Sequence, residues 1–543
     1  MSGNRSTTGR KSPERLPDED QLEHQWKSID WKKAEAEVNR LQARIAKATQ
    51  EKKWNTVKRL QYLLTHSYYA KVLAVRKVTT NKGKKTPGID KNLWLTPADK
   101  MHGALTLTDK NYKAKPLRRV FIEKPWKKKK RPLGIPCMYD RAMQALYALA
   151  LDPVAETMAD TNSYGFRKGR CAQDACEHIF KALSHEKSPQ WVLEGDIKGC
   201  FDHISHDWLI EHIPMDKSVL KQFLKAGFIF KDELFPTEEG TPQGGVISPI
   251  LANMALDGMQ KVLSDRFHTN RLGKVDLRYK NAHKVNLVRY ADDFIVTAAT
   301  RELAEDAKEA IRAFLQTRGL KLSEEKTLIT HIDDGFDMLG WTFRKFKGKL
   351  IVKPSKKSVK ALNAGLHNTV FERGKAWKQE DLIRVLNRQL RGWANYHQSV
   401  CAKEVFSHAD HTLYEMLWRW AKRRHPKKNR KWITANYWHS KGLRNWVFST
   451  ENAELMRLGE VPIVRHTKVR MSANPYLDTE YFAQRRLNRL SLTDVILPVQ
   501  CPIFYGSYGK VRISELQTDN GNLIPFLSSV FSGYKRSETV LKE

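Results

Sequence analysis

Two adjacent carboxylates stand between two short apolar runs in the middle of the chain. Asp292 and Asp293 follow Leu287–Tyr290 and precede Phe294–Val296, a pattern that predicts a β-hairpin with the pair at its turn. Carboxylates held this close repel each other and lose solvation, and a divalent cation between them relieves both effects. Mg²⁺ takes oxygen ligands and binds through one or two carboxylates together with substrate phosphates, so the pair is a candidate magnesium site.

A third carboxylate, Asp196, lies near the end of another β-prone run and extends the same chemistry. The run covers Trp191–Ile197, and Asp202 follows it after a short interval. Three carboxylates on neighbouring strands could hold two metal ions about 4 Å apart, the arrangement used for in-line displacement at phosphorus. Because an isolated Asp-Asp pair is most often a solvated turn, this interpretation depends on the segments around it.

Several further motifs accompany the carboxylates in a definite order along the chain. They are Thr86–Asp90, Arg131–Pro136 with Asp140-Arg141, Ser163–Arg167, Asp196–Asp202, Gly240–Pro249, Tyr290–Asp293, Leu322–Thr327 and Leu339–Trp341. Each motif alone is a modest signal, but the complete ordered set resembles a reverse transcriptase of the group II intron type, often called an intron maturase. The resemblance covers about residues 25–485.

This resemblance implies an α+β fold of the right-hand polymerase class, with fingers, palm and thumb. The length of 543 residues independently predicts three or four domains. The expected segments are a disordered tail (1–20), a helical N-terminal extension (21–79), fingers (80–190), a palm with the catalytic aspartates (191–345), a helical thumb and maturase domain (346–425), a basic DNA-binding region (426–490) and a C-terminal tail (491–543).

Local patterns predict the elements that must position the carboxylates. In the palm segment we expect strands at 191–197, 286–290 and 294–298, with helices at 203–213, 217–228 and 302–318. A further helix is expected over Val246–Leu263, and a long one over Asp140–Met158. The alternation at Arg119–Glu123 predicts a strand, and Trp126–Lys130 a basic turn.

The reaction implied by the resemblance is nucleotidyl transfer. A primer 3′-hydroxyl attacks the α-phosphorus of an incoming dNTP, and pyrophosphate leaves. Asp196, Asp292 and Asp293 are the expected catalytic residues, and the expected metal-binding set adds Ile197. Two Mg²⁺ ions are expected, one activating the hydroxyl and the other steadying the triphosphate.

Five residues are candidates for binding the dNTP. By resemblance, Phe201 packs under the sugar and excludes a 2′-hydroxyl, although an ordinary core phenylalanine is the alternative. Gln243 is expected to line the dNTP pocket by the same resemblance. Lys124 and Arg131 are candidates for the triphosphate, because both side-chain types bind phosphate. Lys326 faces the active site in one interpretation and is a surface lysine in the other.

The charge balance predicts a polyanionic partner. The formal net charge is +35, from 95 Lys and Arg against 60 Asp and Glu, and nucleic acid is the default partner at this magnitude. Between Arg419 and Arg444 there are ten basic residues, no acid and interleaved tryptophans, a mixture suited to single strands or junctions. Three of the five tryptophans in Trp418–Trp446 are expected to be core. The candidate nucleic-acid-binding residues are Arg423, Arg424, Lys427, Lys428, Arg430 and Lys431.

The resemblance implies an intron ribonucleoprotein that assists splicing and copies its intron RNA into DNA at a DNA target during retrohoming. The partners would be a group II intron RNA, the DNA target with its primer, and dNTPs. Two alternatives stay open: a splicing cofactor that binds RNA without polymerising, and a domesticated reverse transcriptase in defence or repair. The intact aspartates favour the polymerase.

Several other classes are disfavoured. No apolar run approaches the ~20 residues of a spanning helix, and Met1–Arg15 lacks the apolar core of a secretory signal. We therefore expect no membrane association and a cytoplasmic or organellar setting. The cysteines form no Cys-x-x-Cys pair, so a zinc or disulfide framework is not expected. Since no histidine follows His466 and only Cys501 follows Cys401, we expect no metal-dependent nuclease, with 491–543 a degenerate remnant.

Overall fold

The structure is a computed structural model that describes residues 18–124, 127–242, 244–269, 281–442 and 444–492. For residues 123, 124, 127–129, 131 and 489–492 it describes the backbone alone. Up to Leu477 the chain forms one compact unit, and a second unit begins at Asp478. The predicted tail 491–543 lies almost wholly outside the described residues.

Helices and strands alternate in a mixed α/β architecture. The helices are α1 (Glu19–Lys27), α2 (Trp31–Gln50), α3 (Trp54–His66), α4 (Tyr68–Thr80), α5 (Pro97–Thr106), α6 (Met138–Met158), α7 (Ala172–Leu183), α8 (Cys200–His203), α9 (His206–His212), α10 (Lys217–Leu224), α11 (Ser248–Leu256), α12 (Met259–Phe267), α13 (Arg301–Gln316), α14 (Lys356–His367), α15 (Gln379–His397), α16 (Lys403–Arg424), α17 (Arg430–Tyr437) and α18 (Thr479–Leu492). The strands are β1 (Leu117–Lys124), β2 (Lys127–Ile135), β3 (Trp191–Asp196), β4 (Phe228–Phe230), β5 (Glu233–Phe235), β6 (Asn286–Tyr290), β7 (Asp293–Ala298), β8 (Leu328–His331), β9 (Phe336–Met338), β10 (Trp341–Phe346), β11 (Lys349–Pro354), β12 (Trp438–Lys441) and β13 (Arg444–Phe448). Among the helices of the described residues, none has both the length and the apolar composition that crossing a membrane requires.

The N-terminal helices pack on α6 and share its core. Helix α6 is buried along nearly its whole length, as expected for a helix at the centre of a large core. Gln42 of α2 donates to the Leu149 carbonyl at 2.7 Å, and Gln61 of α3 to the Pro214 carbonyl at 2.9 Å. A continuous set of buried side chains runs from Ala34 to Leu322. The segments expected as N-terminal extension, fingers and palm are therefore built on one hydrophobic core.

The first helix begins inside the segment expected to be a disordered tail. Helix α1 starts at Glu19, and the Asp18 side chain accepts the Glu19 backbone N–H at 2.8 Å. This contact caps the helix, because a short acidic side chain satisfies a free N–H at the helix start. The tail boundary predicted at residue 20 thus overlaps the helix by two residues.

The central sheet has the strand order β6-β7-β3-β8 and is antiparallel throughout. Its three predicted strands are confirmed to within one residue at each end. The single helix predicted over Val246–Leu263 is wrong, because α11 and α12 are separate helices. Gly258 lies between them with a φ of +100°, a conformation open to glycine that breaks the helix.

A second sheet has the order β2-β1-β4-β5. The strand predicted at Arg119–Glu123 is confirmed within β1. The basic turn predicted at Trp126–Lys130 is wrong, since Lys127–Lys130 belong to β2. The pairing of β1 with β2 reaches as far as Lys124 and Lys127, so these basic residues belong to the strands.

Candidate active site

The three predicted carboxylates meet at one edge of the central sheet. Asp196, the last residue of β3, pairs directly with Asp293, the first residue of β7. Asp292 precedes it in the tight β6–β7 turn, where Ala291 takes a φ of +58°. The hairpin predicted from the sequence is therefore present, and it brings the adjacent pair to the end of the neighbouring strand.

The turn is supported from behind by the motif Ser163–Arg167. A Cβ on Gly165 would lie 2.4 Å from the backbone nitrogen of Ala291, so only glycine allows this approach. The Tyr164 N–H donates to the Arg289 carbonyl at 2.9 Å, and the Arg289 N–H donates to the Asn162 carbonyl at 3.0 Å. These bonds fix the position of β6 relative to the motif.

A buried guanidinium lies beneath the same turn. Arg289 is fully buried and donates to Asp257 at 2.5 Å and to Asn253 Oδ1 at 3.2 Å. It also donates to the Ala291 carbonyl at 3.3 Å. Asn253 in turn donates to the Gly165 carbonyl at 2.8 Å. One network thus connects α11, the Ser163–Arg167 motif and the carboxylate turn.

The Leu322–Thr327 loop braces the end of β3. Ser323 N–H donates to the Asp196 carbonyl at 2.8 Å, and Lys326 Nζ donates to Asp196 Oδ2 at 2.5 Å. Of the two interpretations of Lys326, the structure therefore places it at the carboxylates. The side chain of Ile197 is buried, so only its backbone carbonyl is available to a metal. Its neighbours Asp196 and Lys198 make the hydrogen bonds to the Leu322–Thr327 side, so the Ile197 carbonyl points away from that loop.

The electrostatics of the cluster favour a cation. Burial, together with repulsion from Asp292 and Asp196, raises the pKa of Asp293 to about 6, while Lys326 and Lys357 oppose the shift. The donor atoms are carboxylate oxygens, the ligand type that Mg²⁺ prefers. Three acids against Lys326 and Lys357 leave an excess of negative charge, so the residues present fit a divalent ion.

Phe201 lines a cavity together with Asp202 and residues of β1 and β2. The cavity has a volume of about 340 Å³, and its walls include Arg119, Gly134 and Pro242. Phe201 is half-buried, its ring packs edge-to-face on Phe166 at 6.2 Å, and its carbonyl accepts the Thr241 N–H at 2.6 Å. Its exposed part therefore faces open space, unlike that of an ordinary core phenylalanine.

Three of the candidate dNTP ligands are described only in part or not at all. Lys124 and Arg131 lie on the β1–β2 hairpin, but their side chains are outside what the structure describes. Gln243 lies outside the described residues. A Cβ on the following residue, Gly244, would lie 2.7 Å from the Gly134 carbonyl, so this loop runs against β2.

Two residues near the site were missed by the motif analysis. Phe166 is 53 % exposed with a φ of +59°, and Arg119 lines the cavity with its guanidinium 3.7 Å from the Phe228 ring centre. An exposed aromatic inside a glycine-containing motif, and a basic residue on the strand facing that motif, were the available signals.

The six basic candidates near the end of α16 are all exposed. Arg424 also has a structural role, because it donates to the Trp377 carbonyl at 3.1 Å and lies 4.6 Å from the Trp420 ring centre. Lys428 lies 5.3 Å from the Trp432 ring centre. Trp420 and Trp438 are core and Trp446 is 53 % exposed. The remaining two, Trp418 and Trp432, are half-buried, so two tryptophans rather than the expected three are core.

An aromatic cluster surrounds His397 at the end of α15. Trp341 stacks on Tyr396 at 4.6 Å, and its ring meets His397 edge-on at 5.8 Å. His397 Nε2 is 3.0 Å from Ser358 Oγ. Burial lowers the pKa of His397 to about 4. The Leu339–Trp341 motif is thus packed against the helices that follow it.

We expect His397 to make the protein acid-sensitive. An unfolded histidine titrates near about 6.5, so below that pH the unfolded chain binds a proton that folded His397 excludes. The stability present above about pH 6.5 is lost as pH falls toward 4, by about 2 kcal/mol at pH 5. In urea unfolding at pH 7.5 and 5.0, His397→Gln should lose less stability on acidification than wild type. An exposed control, His408→Gln, should behave as wild type, and equal losses in all three proteins would contradict the assignment.

An antiparallel sheet that carries a carboxylate pair at a hairpin turn, opposite a third carboxylate, is an arrangement suited to a nucleotidyl-transferring polymerase. Residues 122–343 match the family model of the reverse transcriptase (RNA-dependent DNA polymerase). Residues 26–107 match the N-terminal domain of reverse transcriptase, and residues 359–438 the group II intron maturase-specific domain. The mixed architecture fits the reverse transcriptase fold.

Relatives found by overall sequence similarity agree with these domain assignments. The group II intron-encoded protein LtrA of Lactococcus lactis subsp. cremoris is 30 % identical over 440 residues, covering 65 % of this chain and 72 % of LtrA. The protein YkfC of Escherichia coli (strain K12) is 32 % identical over 315 residues, covering 52 % and 82 % of the two chains. Maturase-like protein 1 of Euglena gracilis is 25 % identical over 343 residues, covering 61 % and 68 %. The chain belongs to the family of group II intron-encoded proteins, with reverse transcriptase and splicing maturase functions.

Proposed function

We propose that this chain forms a ribonucleoprotein with its group II intron RNA, assists splicing, and reverse-transcribes the intron at a DNA target during retrohoming. The observation that carries the proposal is the meeting of Asp196, Asp292 and Asp293 at one sheet edge. In this proposal residues 80–190 are the fingers, 191–345 the palm and 346–425 the thumb. The basic region 426–490 contacts DNA, and Mg²⁺ is the cofactor.

Asp196, Asp292 and Asp293, with the Ile197 carbonyl, would hold the metal. When bound, two Mg²⁺ ions supply activation of the primer 3′-hydroxyl and stabilisation of the leaving pyrophosphate. Asp196 at the end of β3 and Asp292 in the β6–β7 turn would hold the ions, and Asp293 at the start of β7 would add negative charge beside them. The buried network of Arg289 keeps the turn in register, so the carboxylates are positioned before substrate arrives.

Lys326 has two successive partners in this scheme. Without metal it neutralises Asp196 at 2.5 Å. Its side chain is 55 % exposed, so it could turn outward once Asp196 held a metal. From that position it reaches the negative charge of the triphosphate, together with Arg131 and Lys124 of the β1–β2 hairpin. In this proposal Gln243 completes the dNTP pocket.

We expect Phe201→Ala to gain the use of ribonucleotides. Removal of the ring opens the cavity where a 2′-hydroxyl would otherwise clash, so the preference for dNTPs should fall by roughly 10–200-fold, the range for a steric discrimination of this size. Primer extension with dNTPs or rNTPs measures the ratio of kcat/KM values. Phe346→Ala, which removes an exposed ring of β10, should leave the ratio unchanged. A Phe201→Ala enzyme without rNTP use would count against the steric gate.

Primer extension and splicing, assayed separately, test the proposed function. The purified chain should extend a DNA primer on an RNA template with dNTPs and Mg²⁺, and should accelerate splicing of its own intron precursor. Splicing without extension would support a cofactor that binds RNA and does not polymerise. Extension without any effect on splicing would support a reverse transcriptase that acts independently of an intron.

A further inference from the structure

Three metal-ligating side chains converge outside the carboxylate cluster. Cys171 Sγ lies 3.2 Å from Asp174 Oδ2 and 3.9 Å from His466 Nε2, and His466 Nε2 lies 2.9 Å from Asp174 Oδ1. One ligand atom from each residue can be chosen so that all lie within 4.8 Å of one another. The Asp174 side chain is fully buried and that of His466 is 11 % exposed.

The histidine arrives on an extended segment, residues 464–476, which we call the strap. The strap is held by hydrogen bonds along its length: Val464 N–H to the Gln398 carbonyl (3.0 Å), Val469 N–H to Asp174 Oδ1 (2.8 Å), Arg170 to the carbonyls of Met471 and Ala473 (3.3 Å each), and Asn474 Nδ2 to Thr157 Oγ1 (3.0 Å). Tyr476 donates to Asp152 at its end. The three-ligand cluster therefore joins the strap to the start of α7.

The geometry points to a zinc site formed by Cys171, Asp174 and His466, with water as the fourth ligand. Zinc bonds are about 2.3 Å to sulfur and about 2.0–2.2 Å to nitrogen and oxygen. Tetrahedral coordination at these lengths separates ligand atoms by roughly 3.3–3.6 Å. The distances of 2.9 Å from His466 and 3.2 Å from Cys171 reach different oxygens of Asp174, and one atom from each residue can be chosen with all three within 4.8 Å of one another. Shifts of at most about 1 Å, including a rotation of the Asp174 carboxylate, would bring such a set to tetrahedral separations.

The ligands are held in suitable chemical states. Cys171 is the N-cap residue of α7, and a helix N-terminus favours the thiolate that zinc requires. Backbone N–H groups of Cys171 and Val469 donate to Asp174 and fix its orientation, as outer partners do at metal sites. On binding, the thiol releases its proton to solvent and the sulfur–zinc bond forms, with no change of oxidation state.

The charges around the cluster affect its affinity for zinc. A thiolate and a carboxylate together neutralise a dication. However, the cations Lys468 and Arg170 lie close enough to affect neighbouring groups, since Lys468 helps lower the pKa of the nearby His178. These cations weaken zinc binding but do not supply an alternative ligand. The absence of Cys-x-x-Cys pairs does not bear on this mixed set, because His466 is distant from Cys171 in sequence.

Zinc content of the full-length protein tests the proposal. Wild type, dialysed against Zn²⁺ under a non-thiol reductant and then against buffer, should retain zinc, and Co²⁺ in its place should show thiolate charge-transfer absorption. Cys171→Ser keeps a good N-cap for α7 but loses the thiolate. His466→Gln keeps a donor to Asp174 but loses the imidazole. Each should weaken zinc binding at least as much as the roughly 10–100-fold that loss of an outer partner costs.

Controls separate the metal from the hydrogen bonds. Cys401→Ser, which changes an exposed thiol, should retain zinc and the cobalt spectrum. Hydrogen exchange of the strap amides should slow on zinc addition in wild type and Cys401→Ser but not in the two ligand variants. Absence of retained zinc, or retention that is equal in all four proteins, would overturn the proposal and leave the cluster a hydrogen-bonded clasp.

Discussion

Asp292→Asn is expected to abolish DNA synthesis while leaving intron RNA binding unchanged. The substitution preserves the size of the side chain in the β6–β7 turn but removes a negative charge next to Asp293, the residue that pairs with Asp196 at the sheet edge. Metal stabilisation of phosphoryl transfer is worth several kcal/mol, so the loss in kcat should be at least about 10³-fold. Single-turnover primer extension on an RNA template measures the loss directly.

RNA binding and splicing provide the internal control for this variant. Because Asp292 lies outside the basic candidates near α16, affinity for the intron RNA and its salt dependence should match wild type. Asp207→Asn, an exposed acid in α9, should polymerise normally. Full polymerisation by Asp292→Asn would show that the turn does not hold the metal, and loss of both activities would indicate misfolding.

The second large effect is structural: Arg289→Met should destabilise the palm by about 3–5 kcal/mol. The side chain is fully buried, and its removal leaves the Asp257 carboxylate without its cation in a dry environment. The cost comes from the uncompensated charge, since methionine fills much of the same volume. The urea unfolding midpoint, followed with a probe in the central sheet, should fall accordingly.

A matched pair separates the charge effect from packing. Arg266→Met removes a cation from the exposed pair with Asp306, where the loss should be within about 1 kcal/mol. Adding Asp257→Asn to Arg289→Met should restore part of the lost stability, because the amide needs no counter-charge. If the stability losses of Arg289→Met and Asp257→Asn simply added in the double variant, the two residues would not be coupled.

The arrangement of the three carboxylates could be predicted from the sequence because it depends on local patterns. Apolar alternation on both sides of Asp292-Asp293 and before Asp196 specifies strands, and the ordered motifs place those strands together. The split of α11 from α12 could have been found from Gly258, but the apolar pattern across it continues with helical spacing. The sequence pattern alone therefore predicted one helix in place of α11 and α12.

Features that depend on distant contacts could not be predicted in the same way. Lys326 could be assigned to the site only once the Leu322–Thr327 loop was seen to pair with the end of β3. Arg289 looks like a solvated charge in an otherwise apolar strand, and only its contacts with Asp257 and Asn253 show that it is core. The basic run after Lys127 has turn-like composition, yet pairing with β1 holds it extended.

The single core shared by the N-terminal helices and α6 has a consequence for synthesis on the ribosome. The chain up to Thr80 emerges before the partner helix, which ends at Met158. At about 5–20 residues per second, the 78 intervening residues take roughly 4–16 s. During that interval the apolar faces of α2 and α4 have no α6 to cover them. Nascent chains that stall in this window are therefore the ones most in need of a chaperone.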